Sequence, residues 1–415
     1  MPLNNNNKKQ LEIMETSTIH KDTTVAKKKS LPAALWALTI SAFAIGTTEF
    51  VIVGLLSTVA SDLGTSLTSA GLLVSLYAIG VAIGAPILTA LTGKIPRKQL
   101  LMGIMLLFII GNGLAAISPS FELLLLSRVV TGFAHGVFFS IGSTIAASLV
   151  PKDKRATAIS IMFAGLTVAI VTGVPLGTYI GQNFGWRATF IGVALLGLVG
   201  AIASLALVPK NIKQSAPLRL IDQLKVIKNP SILLVLAITA FGYGGTFVTF
   251  TYLTPLLEEV TGFSSDMTSV FLLIYGIAIA IGNIIGGKVS NNKPGKALLV
   301  MFALQAIVLF VLYFTASSQI FAIVTLFFMG ILAFSNVPAL QLYVVKMAEK
   351  YLPGTEDVAS ALNIAAFNVG IAIGAYVGGM VVESSLGIEA TPWVGGILVI
   401  VGFLLTLVLF KKEKI

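Results

Sequence analysis

Residues 42–56 read AFAIGTTEFVIVGLL and lie inside an apolar run from Leu31 to Ala60. This run is long enough to cross a bilayer, because the hydrocarbon core needs about 20 apolar residues in a helix. Glu49 stands near its middle, where a charged side chain costs about 2.5–3.5 kcal/mol on insertion scales and usually faces a pathway or a buried partner. The alternative is a carboxyl that reaches the membrane surface, for which the glutamate side chain is too short.

The composition predicts a membrane protein with many spans. The chain has 415 residues, of which 56% are hydrophobic and 11% are charged, whereas soluble domains carry about 25% charged residues. Cysteine is absent, which excludes disulfides and thiolate metal sites. The sequence contains no phosphate-binding G-x-x-x-x-G-K-[ST], no H-E-x-x-H and no nucleophile elbow. We therefore predict that the protein is not an enzyme and needs no cofactor and no metal.

Twelve apolar segments have the length and the flanking residues of membrane-spanning helices. They are predicted at residues 32–58, 68–92, 99–117, 121–149, 156–182, 187–208, 231–257, 266–289, 296–315, 318–346, 357–383 and 391–410. The sequence thus predicts an all-α protein with a disordered cytoplasmic tail at 1–30, a six-helix bundle at 31–208, a linker at 209–230 and a second bundle at 231–411. The linker carries Leu218, Ile221, Leu224 and Ile227 at three-residue spacing. Both an interfacial helix and a plain linker fit that pattern.

The basic residues predict how the chain is oriented in the membrane. Almost all lysines and arginines fall in the tail, in the loops after even-numbered spans and at the C-terminus, while the alternate loops are acidic apart from Arg187. Basic loops mark the cytoplasmic side. We therefore expect both termini in the cytoplasm of a bacterial cell whose inner membrane holds the protein. The net charge of +10 reflects this topology, and we expect no nucleic-acid partner.

The two halves repeat at a separation of 198 residues. Tyr77 and Gly84 match Tyr275 and Gly282, and further spans keep the same register. Internal duplication of membrane spans is typical of transporters, whose site lies between the repeats near the midplane.

The repeat breaks at the ionisable positions, where Glu49 aligns with Phe247, Arg128 with Leu326 and His135 with Ala333. The first half therefore handles charge, and the second half offers aromatic and amide groups. The candidate substrate-binding residues are Thr48, Tyr77, Phe138, Tyr243, Phe247, Asn336, Asn363 and Asn368.

Several motifs resemble the major facilitator superfamily, and within it the drug:proton antiporter branch and its arabinose-efflux-permease-like group. They are GTTEFVIVGLL in the first span, YAIGVAIGAP and PRK around the end of the second, RVVTGFAHGVFF in the fourth, and GLTVAIVTGVPLGTYIG followed by WR around the fifth. The similarity covers residues 31–410. It implies the major facilitator fold, with two pseudo-symmetric six-helix bundles that expose a central site to each side of the membrane in turn.

The glycines of span five form the antiporter-type pattern of this branch. Gly173, Gly177 and Gly181 recur every four residues and make one smooth helix face, and Pro175 loosens the helix there. The resemblance implies that this face packs between the two halves and prevents leak. Ordinary close packing of helices is equally compatible with the pattern.

The loop after span two departs from the superfamily pattern. Gly93 stands where an aspartate is usual, although Arg97 and Lys98 are present. Two roles for these basic residues therefore stay open: a cytoplasmic latch between this loop and a helix end, or charges that only mark the cytoplasmic side.

Arg128 and Glu49 lie at similar depths in spans four and one. An unpaired buried charge is costly, so we predict that the two side chains pair directly or through water. The resemblance implies that Arg128 takes part in proton coupling, and a purely structural role is the alternative. His135 lies two helical turns deeper, where it either relays a proton, binds substrate or packs as a neutral histidine.

These observations predict a monomeric secondary transporter that exports a small organic solute, of the drug, sugar or nucleoside type, by proton antiport. The proton gradient is the predicted energy source. An uptake symporter or a facilitative carrier is the alternative within transport, and a membrane-embedded sensor is the alternative from another class. No soluble signalling domain is visible in the sequence to support a sensor.

Overall fold

The computed structural model describes residues 32–151, 155–212, 220–290 and 293–413. Within them, twelve helices are long and apolar enough to cross a membrane, and we number them spans one to twelve: Ala33–Asp62, Leu67–Leu91, Arg97–Ala116, Phe121–Ser148, Ala158–Phe184, Trp186–Leu207, Pro230–Phe250, Ser265–Ser290, Pro294–Thr315, Gln319–Tyr351, Val358–Glu383 and Ile388–Glu413. The all-α membrane fold predicted from the sequence is confirmed. The predicted N-terminal tail lies outside the described residues.

Local sequence signals explain where several spans begin. The Ser66 hydroxyl accepts the Ser69 N–H before span two, and the Ser120 hydroxyl accepts the Leu123 N–H before span four. Asn229 does the same for two N–H groups at the start of span seven. Such caps satisfy donors that have no partner within the helix.

Proline accounts for irregular turns inside two spans. A π-helical turn occupies Gly84–Leu88 and contains Pro86, and another occupies Ala169–Gly173 just before Pro175. A proline inside a helix cannot donate the usual hydrogen bond and its ring crowds the preceding turn. A wider turn relieves this crowding, so spans two and five continue through the proline without breaking.

A short helix, Leu220–Lys228, precedes span seven. Its Val226 side chain is buried, while Leu224 and Ile227 are exposed. The helical alternative for the linker therefore holds, whereas Leu218 lies outside the described residues. An exposed apolar pair beside Lys225 and Lys228 suits a membrane surface.

The helix packing repeats with the sequence. A Cβ on Gly84 would lie 2.8 Å from the Phe133 carbonyl oxygen, and a Cβ on Gly282 would lie 1.9 Å from the Ile331 carbonyl oxygen. These four positions are related by the same 198-residue separation. Spans two and four therefore approach each other through backbone contact, as spans eight and ten do.

Because consecutive spans alternate in direction, the loops fall at two ends of the bundle. We call the end with Lys98, Lys210 and Lys411 the basic end, and the end with Asp62 and Glu383 the acidic end. The names describe the residues alone.

Contacts between the two halves extend from the acidic end into the bundle. Ser66 donates to the Glu383 carboxylate at 3.3 Å, and Thr68 donates to the Gly379 carbonyl at 2.8 Å. Ser75 donates to the carbonyl of Ala372. At 1.5 Å per residue, Ser75 lies about 14 Å further into the bundle than Ser66. Spans two and eleven are therefore joined from the acidic end to near the middle of the bundle.

Spans five and eight meet in the same way near the acidic end but separate near the basic end. Ser269 donates to the Gln182 side chain at 2.9 Å, and the backbone of Ile170 and Val171 packs against Gly276. Beyond this contact lies a cleft of about 360 Å³ between the two spans. The described bundle is thus closed at the acidic end and has a cleft toward the basic end.

Candidate functional site

Glu49 is buried near the middle of span one, with 8% of its surface exposed. The Nδ1 atom of His135 lies 3.8 Å from its Oε2 atom. The same Nδ1 atom is 3.0 Å from the Tyr77 hydroxyl, in a hydrogen bond whose direction depends on the histidine tautomer. Spans one, two and four thus bring a carboxyl, an imidazole and a phenol together inside the bundle.

Arg128 joins this group from span four, where 1% of its surface is exposed. Its guanidinium donates to the backbone carbonyls of Thr48, Glu49 and Leu73 at 2.7, 3.3 and 3.1 Å. It also lies over the Tyr77 ring, with 4.1 Å from its central carbon to the ring centre. Arg128 therefore ties spans one, two and four together.

The predicted direct ion pair between the Arg128 and Glu49 side chains is not formed. Among the described residues, the ion pairs within 4.0 Å include His135 with Glu49 but not Arg128 with Glu49. The guanidinium donors are directed at backbone oxygens, which occupy fixed positions along spans one and two. A bridge through water between the two side chains stays a prediction.

This arrangement leaves the Glu49 carboxyl without a salt bridge to Arg128. A separation of 3.8 Å is longer than a hydrogen bond, so its contact with His135 is electrostatic and easily altered. A carboxyl and a nearby imidazole are both groups that can hold or pass a proton. The cluster of Glu49, His135, Tyr77 and Arg128 is therefore suited to binding and releasing a proton within the membrane.

Aromatic side chains surround the next residue along span one. Phe50 lies 6.5 Å from the ring centre of Phe247 in span seven and 6.3 Å from that of Phe334 in span ten. Tyr243 lies 5.1 Å from Phe247 and 4.9 Å from Phe367. These five rings, the aromatic cluster, connect the first half to the second directly beside Glu49.

The three asparagines of the second half that were predicted to bind substrate differ in their hydrogen-bond partners. Asn363 accepts from Thr239 at 2.7 Å and donates to Gln341 at 3.0 Å, so its polar atoms already have partners. Asn368 donates to the Ile364 carbonyl, while its oxygen is buried without a partner among the described residues. Asn336 is fully buried, and neither of its amide atoms has a described partner.

The Major Facilitator Superfamily model matches residues 38–356. The chain belongs to the major facilitator superfamily. This match confirms the family predicted from the motifs of spans one to five. The family and its named relatives are transporters, so this facilitator protein is a membrane transporter and not an enzyme.

Two relatives cover almost the whole chain. One, described as the uncharacterized MFS-type transporter YtbD of Bacillus subtilis, is 57% identical over 92% of this chain and 96% of its own length. Another, a chloramphenicol resistance protein of Streptomyces lividans, is 33% identical over 90% of this chain and 95% of its own length.

The fold is also similar to that of a solved structure. A bacterial homologue of the human lysosomal transporter Spinster, in an inward-facing and occupied conformation, matches with a TM-score of 0.74 and 18% sequence identity. The alignment covers 91% of this chain and 96% of that one. At this identity the likeness shows the fold alone, and it agrees with the twelve spans of this facilitator protein.

Two predicted substrate residues of this facilitator protein face the interior of its first half. The Thr48 hydroxyl donates to the Asn112 side chain of span three at 2.5 Å, which directs it away from the second half. Phe138 is fully buried, in edge contact with Phe139. Phe139, which was not predicted, also contacts His135, at 4.8 Å between ring centres.

The glycine face of span five packs within the first half, so the expectation that it lies between the halves is wrong. A Cβ on Gly173 would meet the Thr47 side chain at 2.3 Å, and one on Gly177 would meet Val51 at 2.6 Å. Both contacts belong to span one. Pro175 is buried in the turn between these glycines. The sequence shows that a smooth face exists, but its direction depends on how the helix is rotated.

The two basic residues after span two have different surroundings. Lys98 donates to the carbonyls of Leu205 and Val208 at 2.7 and 2.6 Å, at the end of span six. Cations stabilise helix C-termini, so Lys98 latches span three to span six within the first half. Arg97 is buried, and its Nη1 atom has no described partner.

Three residues that contribute to the site escaped prediction: Asn112, Phe139 and Phe50. Asn112 is a polar residue inside an apolar span, a signal that was present in the sequence. Phe50 and Phe139 carry no such signal, because phenylalanine is an ordinary apolar residue of membrane spans and the chain has 25 of them.

Proposed function

We propose that this transporter exports small organic solutes in exchange for protons across a bacterial inner membrane. The observation that carries the proposal is the Glu49 carboxyl, buried mid-span beside His135 and Tyr77 and close to the charge of Arg128. An ionisable group at that depth is costly, and such residues usually mark the path of a substrate, an ion or a proton. We further propose that both termini are cytoplasmic. Span one begins and span twelve ends at the basic end of the bundle, and basic loops mark the cytoplasmic side of a membrane protein.

One titrating carboxyl suffices for useful export. Moving one charge across 100 mV yields about 2.3 kcal/mol, and about 1.4 kcal/mol corresponds to a tenfold concentration ratio. One proton entering per neutral solute exported therefore supports a solute gradient of roughly fiftyfold at 100 mV. A monomer with a single coupling site meets this requirement, and we propose that the monomer is the working unit.

Protonation would couple to transport through the contacts of span one. In its ionised form Glu49 attracts the positive charge of Arg128, and in its neutral form it does not. The balance between conformations closed at one end or the other then shifts, as for any ligand that prefers one of two states. The carbonyl contacts of Arg128 keep spans one and four together during this change.

The aromatic cluster supports an organic solute as the cargo. Tyr243 and Phe247 present flat apolar faces beside Glu49, and planar solutes stack on such faces. A neutral or cationic solute suits the neighbouring carboxyl. A relative is named for chloramphenicol resistance, so chloramphenicol is the first compound to assay, followed by a panel of neutral and cationic drugs. The cleft at the basic end, which we propose is cytoplasmic, would admit such a solute for export.

The test is Glu49→Gln, which keeps size and hydrogen bonding but removes titration. Uphill efflux from proteoliposomes driven by a pH gradient should stop, whereas downhill exchange should continue because it needs no net proton movement. Glu122→Gln is the matched control, because that carboxyl is exposed at the start of span four. Uphill efflux by Glu49→Gln at the wild-type rate would remove Glu49 from the mechanism.

The orientation has its own measurement. A reporter that is active only in the cytoplasm, fused after Ile415, should give signal in intact cells. A signal from a periplasmic reporter alone would reverse the proposed topology and, with it, the assignment of the cleft to the cytoplasmic side.

A further inference from the structure

The cleft between spans five and eight has both polar and apolar side chains in its lining. It is lined by Ser160, Phe163, Ala164, Thr167, Val168, Ala280, Asn283 and Ile284. These residues offer hydroxyl and amide groups and no charge. Such groups can hydrogen-bond water molecules in the cleft. Phe163 is the aromatic residue among those that line it.

Phe163 begins a continuous series of contacts that ends at Glu49. Its ring centre lies 5.0 Å from that of Phe139, and Phe139 lies 4.8 Å from the ring centre of His135. The Nδ1 atom of His135 is 3.8 Å from the Glu49 carboxyl. Phe163 is partly exposed and Phe139 is 2% exposed. Along this series, two aromatic rings separate the cleft from the imidazole.

The repeat shows that these rings are not a general requirement of the fold. Spans four and ten correspond at 198 residues, which aligns Phe139 with Val337. Spans five and eleven correspond at 201 residues, which aligns Phe163 with Ile364. The aromatic pair therefore occurs in the half that carries the ionisable cluster, and aliphatic residues replace it in the other half.

We infer that Phe139 and Phe163 form an aromatic barrier between the water of the basic-end cleft and the Glu49–His135 pair. Apolar constrictions exclude water because a water molecule there finds no polar partners. A barrier of this kind prevents Glu49 from exchanging protons with the cleft until the rings move. Both phenylalanines act indirectly. Their rings bind no proton themselves but control the access of water to Glu49 and His135, so we class them as positioning residues. The purpose of the barrier rests on the function proposed above.

The chain contains no cysteine, so Glu49→Cys introduces a single thiol at the protected position. The probe is a small cationic methanethiosulfonate reagent, whose reaction rate reports the access of water to residue 49. Adding Phe163→Ala should raise this rate by about tenfold or more, since the hydrated path becomes more populated. Phe139→Ala should act in the same direction. Ile364→Ala, the repeat-matched control, should leave the rate unchanged.

A second measurement uses the native carboxyl. Proteoliposomes with Phe163→Ala should leak protons without substrate several-fold faster than the wild type, whereas Ile364→Ala should not. Melting temperatures recorded in parallel identify any variant that fails to fold, and Phe163 is the safer substitution because it is partly exposed.

The outcomes separate the barrier from the coupling mechanism. Unchanged thiol reactivity in folded Phe163→Ala and Phe139→Ala proteins would overturn the barrier and leave the rings as core packing. The reaction rate of the thiol in Glu49→Cys reports only whether the reagent reaches position 49, and it does not depend on whether the native carboxyl couples protons to transport. A failure of the coupling proposal, shown by uphill efflux in Glu49→Gln, would therefore be recognised independently.

Discussion

The two halves of this transporter use the same backbone packing for different side-chain chemistry. Gly84 lies against the Phe133 carbonyl in the first half, and Gly282 lies against the Ile331 carbonyl in the second. On that shared frame, the first half places a connected polar cluster around Glu49. The second half supplies buried amides and four of the five rings of the aromatic cluster, of which Phe50 belongs to the first half.

The paired tyrosines show the difference most clearly. Tyr77 bonds to His135 and lies under Arg128, whereas its repeat partner Tyr275 has a buried hydroxyl with no described partner and a ring that stacks on Phe250 at 5.3 Å. The same residue at the same place in the fold is thus a polar link in one half and a packing element in the other. Duplication supplied the frame, and a few substitutions determined the chemistry.

The largest effect is expected when a residue of the first-half polar cluster is replaced by the residue at the matching position of the second half. Arg128→Leu, which copies Leu326, removes three hydrogen bonds from a charged donor. We expect a loss of about 2–5 kcal/mol of stability and the loss of uphill efflux. The readouts are the melting temperature and efflux from proteoliposomes.

Two controls sharpen that result. Arg128→Lys keeps the charge but not the guanidinium geometry and should be intermediate in stability. Leu326→Met changes the matched position without altering charge and should behave like the wild type. An Arg128→Leu protein that melts like the wild type would show that the carbonyl contacts do not hold spans one, two and four together. The same contacts predict that Glu49→Gln folds normally, because Arg128 keeps its acceptors.

A smaller effect is expected from His135→Ala, which copies Ala333. Removing a positioned proton-transfer group typically slows transfer by about 10²-fold or more, so uphill efflux should fall strongly while the fold persists. His135→Asn keeps a polar partner for Tyr77 but does not titrate, and it should transport as poorly as the alanine variant. Wild-type efflux in His135→Asn would make this histidine a packing residue.

The smallest and sharpest comparison is Tyr77→Phe against Tyr275→Phe. The first deletes a hydrogen bond to His135 and should lower stability by about 1 kcal/mol. The second deletes a buried hydroxyl without a described partner and should be neutral or slightly stabilising. Melting temperatures of the two variants test this sign difference. Equal losses would show that the two hydroxyls have equivalent surroundings.

A double-mutant cycle tests the link more directly. If Tyr77 acts through His135, the effects of Tyr77→Phe and His135→Ala on stability should not add, because both remove the same bond. Additive effects would place the role of the Tyr77 hydroxyl elsewhere.

The sequence alone determined the twelve spans, the depth of Glu49 and the places where the halves differ. These properties are local, because hydropathy over about 20 residues selects a membrane helix and proline, glycine and polar caps mark its ends. For the segment before span seven, the sequence left a helix and a plain linker open, and the structure shows a helix at Leu220–Lys228. The family followed from motifs that lie within single spans.

Only the tertiary structure decided which atoms meet. Successive side chains are rotated by about 100° around the helix axis. The sequence of a single span does not specify how that helix is rotated relative to its neighbours. For that reason the span-five glycines face Thr47 and Val51 rather than the other half. The length of the arginine side chain let Arg128 reach backbone carbonyls, which left His135 as the near partner of Glu49. The depth of a residue in the membrane follows from its position along one span, so the sequence gives it. Which side chains contact each other depends on how each helix is rotated and on how long each side chain is, and only the packed structure shows this.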